Sequence, residues 1–215
     1  MNKHRLFHIV FALITALGLS SCLKEGTETI VYLGYEDYIP PIEDVIPQEL
    51  LKLYLDSIGE IPQGYIPPNV EGSFVISPKQ RLLSNNLISW PLEVIEPDMS
   101  FSINNQHNGV IVNFDCSEAT ITSTDSVYIM GHDNCFTIYF KEIKEFVDEG
   151  FTTTITRGII LTGEIYQEGI RNLRYADIII DIYDDSNGLI VQYPIGQYFI
   201  YKDGDELSAR LLTKP

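Results

Sequence analysis

Three places in this sequence group side chains that could do chemistry. His132-Asp133 is half of a hydrolytic relay, in which a carboxylate orients an imidazole that takes a proton from a serine. No serine stands in a Gly-x-Ser-x-Gly elbow, and His107, the other histidine beyond the first 21 residues, is not placed to help. The pair is therefore expected in a solvent-exposed turn rather than a catalytic site. Asp181, Asp184, Asp185, Asn187 and Gly188 offer the oxygens that calcium takes. Their spacing is not that of an EF-hand loop, and the same residues are the ones turns favour. Asp203-Gly204-Asp205-Glu206 reads as a hairpin turn built on Asp-Gly. Paired carboxylates for glycoside hydrolysis need a spatial separation that a surplus of acids does not supply. Histidines and cysteines lack zinc spacing. These residues assign no catalytic group, no metal site and no cofactor.

The clearest functional signal is an address. Met1-Asn2-Lys3-His4-Arg5 is followed by an apolar run from Leu6 to Leu19, a charged start and hydrophobic core of the secretory kind. That run is shorter than the roughly 20 apolar residues a membrane-spanning helix needs. It stops in Leu19-Ser20-Ser21-Cys22, which resembles the bacterial lipobox. The resemblance implies cleavage after residue 21, lipidation of Cys22 and anchoring in the outer membrane, facing the periplasm or the cell surface. Two or more acyl chains, at about 0.8 kcal/mol per buried methylene, anchor stably where one does not. Leu23-Lys24-Glu25-Gly26-Thr27-Glu28 resembles the surface-export signal of Bacteroides-type lipoproteins, and reads equally as a solvated tether.

Without residues 1–21 the chain loses Lys3 and Arg5 from its 14 basic residues and keeps all 30 acidic ones, for a net charge near −18. Such a body is repelled by nucleic acid and by anionic headgroups, so its membrane contact is assigned to the anchor at Cys22 alone. The remaining cysteines, Cys116 and Cys135, face an oxidising compartment and form either a disulfide or two small apolar side chains. Thirteen Tyr, ten Phe and one Trp suit a ligand cavity or a sugar platform. Trp90, between Ser89 and Pro91, is either a contact for ligand or partner, or a plug over the core.

The elements that must position these residues are mostly strands. The tether covers 22–45, and 46–69 holds a helix and a Pro-rich connector. Pro47 suits the helix start, Gly59 its stop, and Leu50, Leu51, Tyr54, Leu55 and Ile58 share one face. Residues 70–215 read as one antiparallel β domain, its apolar period two from Phe101 onward, with about eleven strand centres, among them Phe74, Val110, Val127, Phe136, Ile178, Ile190 and Leu211. Val110, Val112 and Phe114, then Phe136, Ile138 and Phe140, mark core faces, while Ala176, Ile178, Ile180 and Ile182 oppose Tyr175, Asp177 and Asp181. Residues 77–98 read as loop with one short strand, and Lys141 to Val147 as a helical turn. The fold expected is mainly β, an antiparallel meander closing into a barrel or a β-sandwich. A leading helix and a Gly-containing first strand before a long meander make 70–213 similar to lipocalin-like lipoproteins. The function expected is binding of a small apolar ligand, a glycan or a partner protein, with a carboxylate hydrolase or an assembly subunit as the alternatives.

Overall fold

A computed structural model describes residues 41–58, 61–85, 95–104, 106, 110–116, 119–122, 127–148, 151–183 and 194–211. All of them belong to one compact unit, Ile39–Pro215.

Among the described residues, twelve strands fall into eight antiparallel runs. The first run joins β1 (Gly72–Ile76) to β2 (Lys79–Ser84), and the second joins β3 (Ile95–Glu96) to β4 (Met99–Asn104). The third is β5 (Ile111–Cys116), and the fourth joins β6 (Ala119–Thr122) to β7 (Tyr128–His132). Three long strands follow, β8 (Cys135–Asp148), β9 (Phe151–Ile165) and β10 (Gly169–Tyr183), and the last run joins β11 (Tyr198–Asp203) to β12 (Leu207–Arg210). Each run pairs with the next in the chain, and β5 also meets the fourth run through the bridge Val110↔Val127. The eighth run returns to the first, with Phe74 opposite Arg210 and Phe199 opposite Ser84. The pairings thus link the runs into a circuit that the single bridge Val110↔Val127 completes, the barrel-like outcome of the expected meander, with β3 and β6 each paired on one side only.

Inside, rings from different runs touch. Phe74 and Phe101 lie 5.4 Å apart, Phe101 and Phe114 6.0 Å, and Phe114 and Tyr175 5.4 Å between centroids. Aromatic pairs at these distances add to the burial of their area. Outside, two helices among the described residues cover the face of β8, β9, β10 and β11. Helix α2 (Gln48–Ile58) is the expected one, and buries Leu51 and Tyr54 against Tyr139, Ile160, Ala176 and Ile178. The Tyr54 hydroxyl is bonded to Thr162 Oγ1 at 3.1 Å. A single turn, α1 (Ile42–Val45), precedes it. With Ile42, Val45 and Ile46 buried, the end of the segment expected as tether is part of the domain.

Four local expectations are corrected. First, β2 and β3 occupy the segment expected as loop with one short strand. Lys79 and Arg81 lie over the rings of Tyr201 and Phe199, so cations stand where alternation predicts apolar side chains. Second, β8 runs unbroken through Lys141–Val147, because its whole length pairs with β9. Third, Asp203–Glu206 is not a hairpin turn. Both β11 and β12 pair with β10, at Ile178↔Tyr198 and Gly169↔Ala209, so the chain continues in one direction across a two-residue excess. Buried Asp203 holds this irregularity together, accepting from Ser77 N at 3.2 Å and Ser208 Oγ at 2.9 Å. Fourth, β10 is buried on both faces: Ala176 and Ile178 lie under the helices, whereas Tyr175 faces the barrel interior.

Among the other expected strand centres, Val110 and Val127 make the isolated bridge just ahead of β5 and β7. Leu211 follows the end of β12, and Ile190 lies outside the described residues.

Candidate functional site

Two places in the barrel have the chemistry of a binding site. The first is an outer groove of about 510 Å³ between α1, the connector and the β7–β8 hairpin. Ile42, Met130 and Tyr139 give it apolar surface, and Glu43 and Gln63 supply polar groups. Tyr65, also lining it, is 90% exposed. The connector is held at this distance by backbone geometry. Gly131 N donates to Gly64 O at 3.0 Å, and Thr137 Oγ1 donates to Pro62 O at 2.8 Å. Gly64 and Gly131 have φ of +146° and +155°, and a Cβ on either would strike backbone, that of Gly131 and of Cys135 respectively. The Tyr139 phenol is pushed up to about 12, first by burial and then by Tyr128, Glu43 and Asp44, so it stays a neutral hydrogen-bonding group at physiological pH.

The second is a polar row on the inner face of the barrel. The register places Glu142 opposite Arg157, and Arg157 opposite Ile179. Ile179 N in turn donates to Gln197 O at 2.8 Å. Arg157 Nε donates to Glu142 Oε2 at 2.7 Å, its Nη2 bonds the same oxygen, and its Nη1 donates to Asp177 Oδ2 at 2.5 Å. Burial pulls the Arg157 guanidinium down, but Asp177, Tyr175 and Glu142 together hold it above its ordinary value. Burial raises the Glu142 carboxyl above the usual range, and Arg157 offsets only part of that. Next to the row stand the stacked rings of Tyr175 and Tyr201, 5.7 Å apart, and of Phe199 and Tyr201, 6.2 Å apart. Beyond them, Glu96 is bonded to both Arg81 and Lys79.

The residues singled out in the sequence are placed unevenly. Cys22, Trp90, Asp184, Asp185, Asn187 and Gly188 lie outside the described residues, as does the side chain of Cys116. Cys135 opens β8, opposite His132 and Glu164. His132 and Asp133 are exposed in the β7–β8 turn, 3.3 Å apart. Asp181 is exposed and accepts from Ile182 N at 2.9 Å. Among the described residues no three His, Cys, Asp or Glu side chains gather as metal ligands, and no helix is long and apolar enough to cross a membrane. Glu142, Arg157, Asp177 and Gln197 were not anticipated. The one signal was for Glu142, an acid next in phase after Phe136, Ile138 and Phe140.

Comparison with protein-family models, curated proteins and solved structures finds no match to this chain.

Proposed function

We propose that this chain is an outer-membrane lipoprotein, anchored through Cys22, that works by binding rather than by catalysis, and that its outer groove takes a small, largely apolar ligand. The groove carries this reading. Its volume is within the range of small-molecule sites, roughly 300 to 1,000 Å³, and a few polar groups on an apolar lining are the usual composition of such sites. The lipocalin-like resemblance fits a carrier role, although the interior here holds packed rings and paired charges, which moves the apolar site to the outside of the barrel. Both acids in the inner row are engaged by one arginine, which argues against a carboxylate hydrolase.

Nile red fluorescence tests the groove, using a soluble form that starts at residue 22 with Cys22→Ser. Enhancement and a blue shift are expected for this form and a loss for Met130→Arg, which puts a cation in the lining. Equal enhancement in both proteins rejects the groove as the site. Membrane fractionation of Cys22→Ala tests the anchor: the variant should leave the membrane fraction, and retention there rejects lipidation.

A further inference from the structure

We infer that the inner polar row is a second binding site, and that its ligand is a neutral, polyhydroxylated molecule of the sugar or polyol class. The inference starts from polar atoms that lack partners. Glu142 is 1% exposed and Gln197 2% exposed, yet Glu142 Oε1, Gln197 Oε1 and Gln197 Nε2 have no hydrogen-bond partner among the described residues. Leaving such groups unpaired costs about 1–3 kcal/mol each, and native proteins rarely do so without a ligand or water that answers them. Gln197 faces the interior. Phe199 and Tyr201, two and four residues on, pack in the inner core, while Tyr198 and Ile200 pack under the helices.

The donor and acceptor count selects the ligand. Two of the three atoms accept and one donates. An ammonium group would serve the two acceptors and leave Gln197 Nε2 unmet, whereas an anion would serve that amide and confront Glu142. A hydroxyl both donates and accepts, so a set of hydroxyls answers all three. Four adjacent strand positions, at about 4.8 Å per step, spread these atoms over more than one hydroxyl can reach, which favours an extended polyol. Phe199, Tyr201 and Tyr175 add ring surface for the C–H face of such a molecule. Solvent reaches the row at Arg157 and Asp177, whose side chains remain 17% and 14% exposed. Water shares the hydroxyl chemistry, and the test must separate the two.

Saturation-transfer NMR on the full chain in detergent micelles, with maltose, cellobiose and lactose as probes, makes that separation. Transfer to sugar C–H protons is expected from the native protein for at least one probe. Gln197→Met should bind about tenfold more weakly, the effect of one lost buried hydrogen bond. Gln197→Asn, which keeps an amide but shortens its reach, should also weaken binding and serves if the Met variant does not fold. Met130→Arg should leave sugar binding unchanged, so failure of the groove reading and failure of this one are distinguishable. No transfer at tens of millimolar sugar, or equal binding by a folded Gln197 variant, overturns the proposal. So does a crystal structure, soaked in the same sugars, with only ordered water on Glu142 and Gln197.

Discussion

Replacing Arg157 by alanine isolates the ion pairs of the inner row. The guanidinium makes two bonds to Glu142 Oε2 and one to Asp177 Oδ2. Hydrogen bonds to charged groups contribute about 1.5–3 kcal/mol each, but two of these share an oxygen, and removing the cation also recovers its own desolvation. Glu142 is 1% exposed, so its charge would lose its bonded counter-ion and keep only the weaker pull of Lys144. Breaking a buried pair from one side costs about 3–5 kcal/mol, and that is the loss expected above neutral pH. The loss should depend on pH. The folded-state pKa of Glu142 is already raised, and without Arg157 it rises further, so the variant's native state holds its proton to higher pH than the unfolded chain does. Stability of the variant is then greatest in acid and falls as pH rises through that value. Urea unfolding of both proteins from about pH 4 to about pH 8, with equal m-values, measures this. A loss below about 1 kcal/mol at the alkaline end, or one that does not change with pH, would show that the row is hydrated and not a buried triad.

Gly131→Ala should lower stability by about 1–3 kcal/mol, because its φ of +155° and the Cys135 carbonyl both exclude a Cβ. An unchanged denaturation midpoint would contradict the tight β7–β8 geometry. Asp203 has its carboxyl raised to about 6, first by burial and then by Asp205. Its contribution is present below the unfolded value and lost as pH rises through about 6, so native Asp203 should give a falling stability slope between about pH 4 and about pH 7 that Asp203→Asn flattens. Parallel slopes for the two proteins would assign the titration elsewhere.

The meander was legible wherever one face of a strand is apolar and the other polar, as in Val110, Val112 and Phe114, and the helix was legible from Pro47 and its apolar face. Legibility failed where a strand has two buried faces. In β10 Ala176 and Ile178 pack under the helices, while Ile170, Leu173 and Tyr175 turn inward, so the strand has an apolar side on both faces. It failed again where charges face inward. Lys79 and Arg81 on rings, and Glu142 against Arg157, break the alternation at positions whose partners are many residues away. The Asp203 irregularity was misread because Asp-Gly suits a hairpin equally well, and only the shared pairing with β10 shows that the chain goes straight on. The polar row was invisible for the same reason: its members are adjacent only once register is set, and register is a long-range property.

The pairing of Phe74 with Arg210 also sets an order of events in time. A ribosome has to deliver almost every residue in between before β1 can find its second neighbour, so the emerging chain must wait unclosed, and the ring is completed late. Closure over so long a separation is a slow kind of folding step. A newly made copy therefore spends a period open, its inner rings exposed, before the first and last runs meet.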